Sequence, residues 1–256
     1  MALWMDLRRR EGKRVYEAVS RGIVVIRIHP ALNETMKQEF PDRKALAALG
    51  QKVRERLARD PSVYRLPVED AEIFAVGDFL DADECDVLVR LIDDVARPST
   101  LYKGTEIEAY RTSYSGDVPQ TEPQIRIVER RLSDLLGIDL GWGETVQGQR
   151  YAPGQEYRGH CDWFDVHADY WKGESRNGGQ RSWTAMAYLN NVEEGGETEF
   201  TQLGFAIPPQ RGSLVFWNNA LPDGRTNPAT LHAAKPVVRG VKYVITKWFR
   251  TRPWLG

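Results

Sequence analysis

Apolar positions follow two different periods along this chain. In the first half Leu46, Leu49, Val53 and Leu57 recur at helical spacing, with Lys52, Arg54, Glu55, Arg56 and Arg59 on the other faces. That pattern predicts an amphipathic helix, and Asp60-Pro61 stops it. Upstream, the run from Gly22 to Ile28 reads as a strand or buried segment. Residues 1–60 as a whole are expected to form a largely helical N-terminal extension. EIFAVGDFL (72–80) predicts a strand. Asp81 followed by Glu84 has the form of a capping box, and Leu88, Leu91, Ile92 and Val95 give the stripe of the helix it opens. A third helix starts near Thr121 with Pro123 in its first turn and Ile125, Val128, Leu132 and Leu135 as its stripe.

From Gly143 onward helical stripes disappear. Short β-rich runs replace them: 145–151, 182–189, 197–200, 204–207, 213–217 and 241–249. Clusters such as GGE (195–197), PPQRG (208–212) and PDGRTNP (222–228) separate them. Many short strands with turn punctuation predict a sandwich or barrel-like double sheet. The fold class expected is therefore α+β with a mainly β core. Residues 61–256 form one domain, the β core spans about 143–252, and the helices pack on an outer face.

Composition narrows the chemistry. Lys and Arg number 35 against 36 Asp and Glu, a net charge of -1. A protein that coats nucleic acid usually carries a basic excess, so no nucleic-acid partner is expected. No apolar run approaches the ~20 residues that span a bilayer, and the N-terminus is the reverse of a signal peptide. A cytoplasmic, reducing setting is the expectation. Two cysteines, Cys85 and Cys161, make neither a disulfide scaffold nor a four-thiolate zinc module. With only four histidines, a metal site must draw on few imidazoles plus carboxylates.

His160 and Asp162 are one residue apart, and alternate residues of an extended chain share a face. His232 precedes another β-rich run. Two histidines and one carboxylate make the facial triad of non-haem Fe(II) oxygenases, which leaves three coordination positions open. Lys242 follows His232 across a turn at Val238-Arg239-Gly240. A cation on that strand, facing the same cavity, needs a partner, and the carboxylate of a dicarboxylic cosubstrate supplies one.

The segments YAPGQEYRGHCD (151–162), GGQRSWTAMAYLNNVEEGGETEF (178–200), GSLVFWNN (212–219), PDGRTNPATLHAAKPVVRGVK (222–242) and TKWF (246–249) resemble the prolyl 4-hydroxylase branch of the 2-oxoglutarate and Fe(II)-dependent oxygenases. The resemblance runs from about Glu72 to Pro253. It implies a double-stranded β-helix, or jelly roll, with supporting N-terminal helices. It implies Fe(II) on His160, Asp162 and His232, 2-oxoglutarate paired with Lys242 and hydrogen-bonded by Thr198 and Tyr151, and dioxygen and ascorbate as further small molecules. Arg181, Tyr157 and Trp248 correspond to positions that face the peptide. Segment 110–120 looks like a mobile loop over the substrate, with Arg111 and Ser113 as contacts; its composition reads as a loop too. Two positions depart from the family pattern. Cys161 stands where an aromatic is usual and is read as packing, facing away from the metal. Lys235 stands where many members have cysteine.

The activity implied is hydroxylation of a prolyl residue in a peptide or protein, with 2-oxoglutarate decarboxylated to succinate. An oxygenase of a free amino acid or other small molecule is the alternative within enzymes. A non-catalytic metal-holding module is the alternative outside them. His167, Asp165 and Asp169 are expected on a solvated loop, and His29 is expected to be structural.

Overall fold

The computed structural model describes residues 4–6, 16–20, 23–27, 42–101 and 110–255. The chain divides into two compact units, Met1–Pro41 and Asp42–Gly256. In the first, β1 (Trp4–Asp6), β2 (Tyr16–Ser20) and β3 (Ile23–Arg27) form a three-stranded antiparallel sheet in that order. The helical expectation for 1–60 is corrected here. The helical stripe that motivated it lies wholly within α1 (Arg43–Leu57), whereas the upstream runs are rich in Val and Ile, which favour strands. The break between units also falls before α1, not at Asp60-Pro61. Expected position His29 lies outside the described residues.

In the second unit Asp42 caps α1 through the Ala45 amide. Next come β4 (Tyr64–Arg65), β5 (Ile73–Val76) and α2 (Ala82–Val95), whose Asp81/Glu84 capping box is fully formed. β6 (Arg97–Pro98) and β7 (Tyr114–Asp117) precede α3 (Pro123–Leu136). The remaining strands are β8 (Gln147–Tyr151), β9 (Tyr157–His160), β10 (Arg181–Tyr188), β11 (Glu194–Gly195), β12 (Thr198–Phe200), β13 (Phe205–Ile207), β14 (Leu214–Asn218), β15 (His232–Ala234), β16 (Val237–Arg239) and β17 (Lys242–Arg250). One helical turn, α4 (Trp171–Glu174), lies between β9 and β10.

These strands form an eight-stranded antiparallel sheet, β4-β5-β14-β10-β17-β8-β7-β6, and a four-stranded one, β13-β12-β15-β9; β11 and β16 pair alone. This is the mainly β double sheet the sequence predicts. Alternation along the central strands sorts side chains into two layers. Trp183, Ala185, Leu214, Phe216, Ile245 and Phe249 pack with the stripes of α1, α2 and α3. Met186, Tyr188, Val215, Trp217 and Val244 point the other way and meet Phe200 and Ala234 of the smaller sheet. Gly148 lets α2 lie against β8, because a Cβ there would stand 2.4 Å from Ile92 Cγ1.

One polar pair interrupts the helix-facing layer. Lys247 of β17 is 1% exposed and is bonded to Glu129 of α3, itself 8% exposed. Removing one partner strands a buried charge, which costs roughly 3–5 kcal/mol, while replacing both with apolar groups is often close to neutral. Lys247→Met is thus expected to lower the unfolding free energy by about that amount, and Lys247→Met with Glu129→Leu to recover most of it. Urea titrations of the three proteins check this; equal losses in single and double variants would contradict it.

The loop expectation for segment 110–120 is corrected at its centre: Tyr114–Asp117 is a strand of the large sheet, while Tyr110, Arg111 and Asp117 do line the cavity. β7 pairs with β8 from Tyr114↔Arg150 to Asp117↔Gln147. Its polar residues are used internally: Ser99 Oγ meets Ser113 Oγ at 2.9 Å and donates to Ser115 Oγ at 2.8 Å. Gly116 is required because a Cβ would lie 2.5 Å from the Val95 carbonyl. Small polar residues read as loop in a sequence when their hydrogen-bond partners are remote.

Candidate metal centre and cosubstrate cavity

β9 and β15 bring two histidines together from distant parts of the chain. His232 pairs in register with His160, and their ring centroids are 4.3 Å apart. Asp162 follows β9. The three offer ligand atoms that all lie within 4.8 Å of one another, and no other such group occurs among the described residues. The Nε2 atoms of His160 and His232 stand 3.9 and 3.8 Å from the Asp162 carboxylate.

The surroundings set each donor. His160 Nδ1 lies 2.9 Å from the Arg158 carbonyl, and His232 Nδ1 lies 2.9 Å from the Thr230 carbonyl. A carbonyl only accepts, so each Nδ1 carries the proton and each Nε2 presents its lone pair to the shared space. Burial, with His232 beside it, pushes the His160 imidazolium pKa down to about 3, so the ring is neutral. Burial opposes a charge on Asp162, but His232, His160, Arg181 and the Thr184 hydroxyl together hold its carboxyl below the usual range. Thr184 Oγ1 donates to Asp162 Oδ2 at 2.8 Å and accepts from Asn219 Nδ2 at 2.9 Å. Trp217 meets the His232 ring edge-on at 4.8 Å. Two imidazoles and one carboxylate, with their far sides fixed by carbonyls and a hydroxyl, suit Fe(II) and leave positions for exogenous ligands.

The triad opens into a cavity of about 630 Å³. Lys242 stands in its wall, 1% exposed. Its ammonium donates to Thr198 Oγ1 at 3.3 Å and lies over the rings of Tyr151 and Tyr188 at 5.3 and 5.5 Å. Burial pushes its pKa down to about 7, partly offset by Glu197. A lysine so desolvated, with no carboxylate in hydrogen-bond contact among the described residues, fits an anionic ligand. Thr198 Oγ1 also accepts from the Tyr188 hydroxyl at 2.8 Å, so its own proton is left to donate into the cavity. Tyr151 lies opposite Lys242 across β8 and β17, and its hydroxyl donates to Gln149 Oε1 at 2.7 Å.

Of the other residues the sequence singles out, Arg111, Tyr157, Arg181 and Trp248 line the same cavity. Ser113 does not; it is buried and accepts from Arg111 Nε at 3.1 Å. Arg111 lies over the Tyr157 ring at 4.7 Å, and that ring stacks on His160 with centroids 3.6 Å apart. Arg181 is gripped by both oxygens of Glu144 at 2.7 Å and lies 4.0 Å over Trp248. Cys161, expected to face away, is half-buried and belongs to the cavity wall. Burial and Asp162 raise its thiol to about 11, so it stays protonated. His167, Asp165, Asp169 and Lys235 are exposed. Residues the sequence reading missed are Tyr188, Thr184, Gln149 and Glu144. Thr184 and Tyr188 had a signal, since the period-2 pattern of 182–189 puts them on the face opposite Trp183.

Residues 146–250 match the model of the 2OG-Fe(II) oxygenase superfamily. The chain is 30% identical over 238 residues to "Probable prolyl 4-hydroxylase 10" of Arabidopsis thaliana, covering 82% of this chain and 80% of the relative. It is 32% identical over 196 residues to "Prolyl 4-hydroxylase 5" of the same plant, covering 67% and 65%. Among solved structures it is similar to the viral collagen prolyl hydroxylase of Paramecium Bursaria Chlorella virus-1 in its 2-oxoglutarate complex, with 31% identity, a TM-score of 0.56, and 70% of this chain and 95% of that one covered. With the triad and the lysine in one cavity between two jelly-roll sheets, the chain belongs to the prolyl 4-hydroxylase family of 2-oxoglutarate- and Fe(II)-dependent dioxygenases, whose cofactors are Fe(II), 2-oxoglutarate and dioxygen.

Proposed function

We propose that this enzyme hydroxylates a prolyl residue within a peptide or protein, with His160, Asp162 and His232 holding Fe(II) and Lys242 and Thr198 holding the far carboxylate of 2-oxoglutarate. The observation that carries the reading is the pairing, in one cavity, of an iron-type triad with a buried lysine that has no carboxylate in hydrogen-bond contact among the described residues. The relatives' names support a prolyl substrate, and the viral neighbour is a collagen prolyl hydroxylase.

Bound together, the metal, 2-oxoglutarate and dioxygen supply an oxidative decarboxylation that yields succinate and carbon dioxide and places a hydroxyl on the substrate carbon. The chain's own residues position and protect. The Arg158 and Thr230 carbonyls fix both imidazoles, and Thr184 orients the carboxylate. Lys242 neutralises one end of the cosubstrate beside the rings of Tyr151 and Tyr188, where its burial strengthens the charge interaction. Glu144 holds Arg181 flat over Trp248, so that both present a fixed surface to the substrate. Tyr157 and Arg111 form the facing wall. Ascorbate as external reductant belongs to this proposal, as does a cytoplasmic location, which the two unpaired cysteines suit.

Succinate formation with Fe(II) and 2-oxoglutarate, compared between proline-containing peptides and free proline, tests the reading. Stimulation by peptide but not by free proline is expected. Stimulation by free proline alone would favour a small-molecule oxygenase, and metal binding without any succinate would favour a binding module.

A further inference from the structure

The last described residues are fastened across the segment that joins the metal-bearing strand β9 to β10. Arg250 donates to the Gly179 carbonyl at 2.5 Å, Thr251 Oγ1 to the Gly178 carbonyl at 3.2 Å, and Arg252 to the Ser175 carbonyl. The Leu255 amide donates to Asn177 Oδ1, and the Trp254 amide to the Gly141 carbonyl, each at 2.7 Å. Gly178 and Gly179 adopt φ of +84° and +77°. A Cβ on Gly179 would lie 2.5 Å from Thr251 Oγ1, and one on Gly178 would lie 3.4 Å from the Trp254 Cα. The two glycines thus supply both the left-handed turn and the clearance that lets the tail lie flush. The outcome of this fastening is that Trp254, half-buried, forms part of the cavity wall. Trp163 and Tyr170, also half-buried, line the same cavity from the segment the tail grips.

We propose that Trp254, held by this C-terminal strap, is a specificity-determining residue that packs against a prolyl ring flanking the proline to be hydroxylated. The inference rests on the prolyl hydroxylase reading above and deepens it. An indole face costs little entropy to order and offers a broad apolar contact. A rim of aromatic faces suits a chain whose pyrrolidine rings recur on a preformed extended helix, because such a chain has little freedom left to lose on binding. Arg181, Trp248 and Tyr157 deal with the residue at the metal; Trp254 reads a neighbour.

The experiment compares two peptides, one with proline on both sides of the target and one with alanine there, under saturating Fe(II) and 2-oxoglutarate. In the wild type the proline-flanked peptide is expected to have a KM about tenfold lower. In Trp254→Ala that preference falls toward unity through the peptide KM, with kcat for the proline-flanked peptide changed far less; Trp254→Phe keeps most of it. Gly179→Ala, whose added Cβ crowds Thr251 and dislodges the strap, reproduces the loss. A wild-type preference that survives unchanged in Trp254→Ala overturns this inference alone. A wild type that turns over neither peptide overturns the prolyl hydroxylase reading, and this inference with it.

Discussion

Asp162→Ala is expected to abolish tight metal binding and with it all turnover. Its carboxylate is the sole anionic donor in the triad, it is 5% exposed, and both imidazole Nε2 atoms face it. Two imidazole ligands alone do not offset the desolvation of a divalent cation in such a site. Metal titration of the purified variant by calorimetry, beside circular dichroism to show an unchanged fold, reads the effect directly. Thr184→Val provides a graded companion. It removes the hydrogen bond to Asp162 Oδ2 and leaves the ligands in place, so metal affinity should fall about 10–100-fold. Asp162→Ala with wild-type metal affinity would remove this residue from the centre.

Lys242→Met is expected to raise the 2-oxoglutarate KM by about 10²–10³-fold while leaving metal affinity nearly unchanged. A distal carboxylate buried against methionine loses its charge partner, a cost of roughly 3–5 kcal/mol. The same change should stabilise the ligand-free protein, since it deletes a desolvated cation with no carboxylate in hydrogen-bond contact among the described residues. This opposition of stability and binding separates a ligand-holding lysine from a structural one. The pH dependence follows from the same group. Its pKa falls from 10.5 to about 7 on folding because of burial. Between those values the unfolded chain holds a proton that the folded, ligand-free protein does not, so stability rises with pH across that window. The cost of the buried ammonium is fully present below about 7 and gone above 10.5. Binding an anion reverses the balance: above pH ~7 the lysine must regain a proton, so 2-oxoglutarate affinity should fall by up to tenfold per pH unit. Calorimetry on the Mn(II)-loaded protein from about pH 6 to about pH 9 measures it. A flat profile identical in Lys242→Arg would contradict the assignment.

The pattern of the sequence carried much of this architecture, for identifiable reasons. The capping box at Asp81 and the stripes of α1, α2 and α3 are local signals, complete within one turn or two. The six β-rich runs all became strands, because β-branched and aromatic residues alternate in them and glycine turns bound them. What failed was non-local. β7 has polar and small residues whose partners, Ser99 and β8, are remote in sequence. β9 carries Tyr157, Arg158, Gly159 and His160, with no apolar alternation, because one of its faces serves the metal and the cavity. The triad was legible from His160, Asp162 and His232 as residue types. Its depth was legible only in part: alternation puts Thr184 and Tyr188 on the face opposite Trp183, but what they and Gln149 touch emerges only when β10, β17 and β8 are set side by side. Alternation around Cys161 failed because Asp162 already lies beyond the end of β9, where period 2 no longer applies.

The cavity is expected to transfer one oxygen atom to a prolyl ring in a peptide. Incubating the protein with Fe(II), 2-oxoglutarate, a proline-containing peptide and oxygen-18 dioxygen, then sequencing the product by tandem mass spectrometry, tests it most directly. One labelled oxygen on a proline residue, formed in step with succinate, is expected, and no product from Asp162→Ala. Succinate accompanied by an unmodified peptide, or label on a residue other than proline, would contradict it.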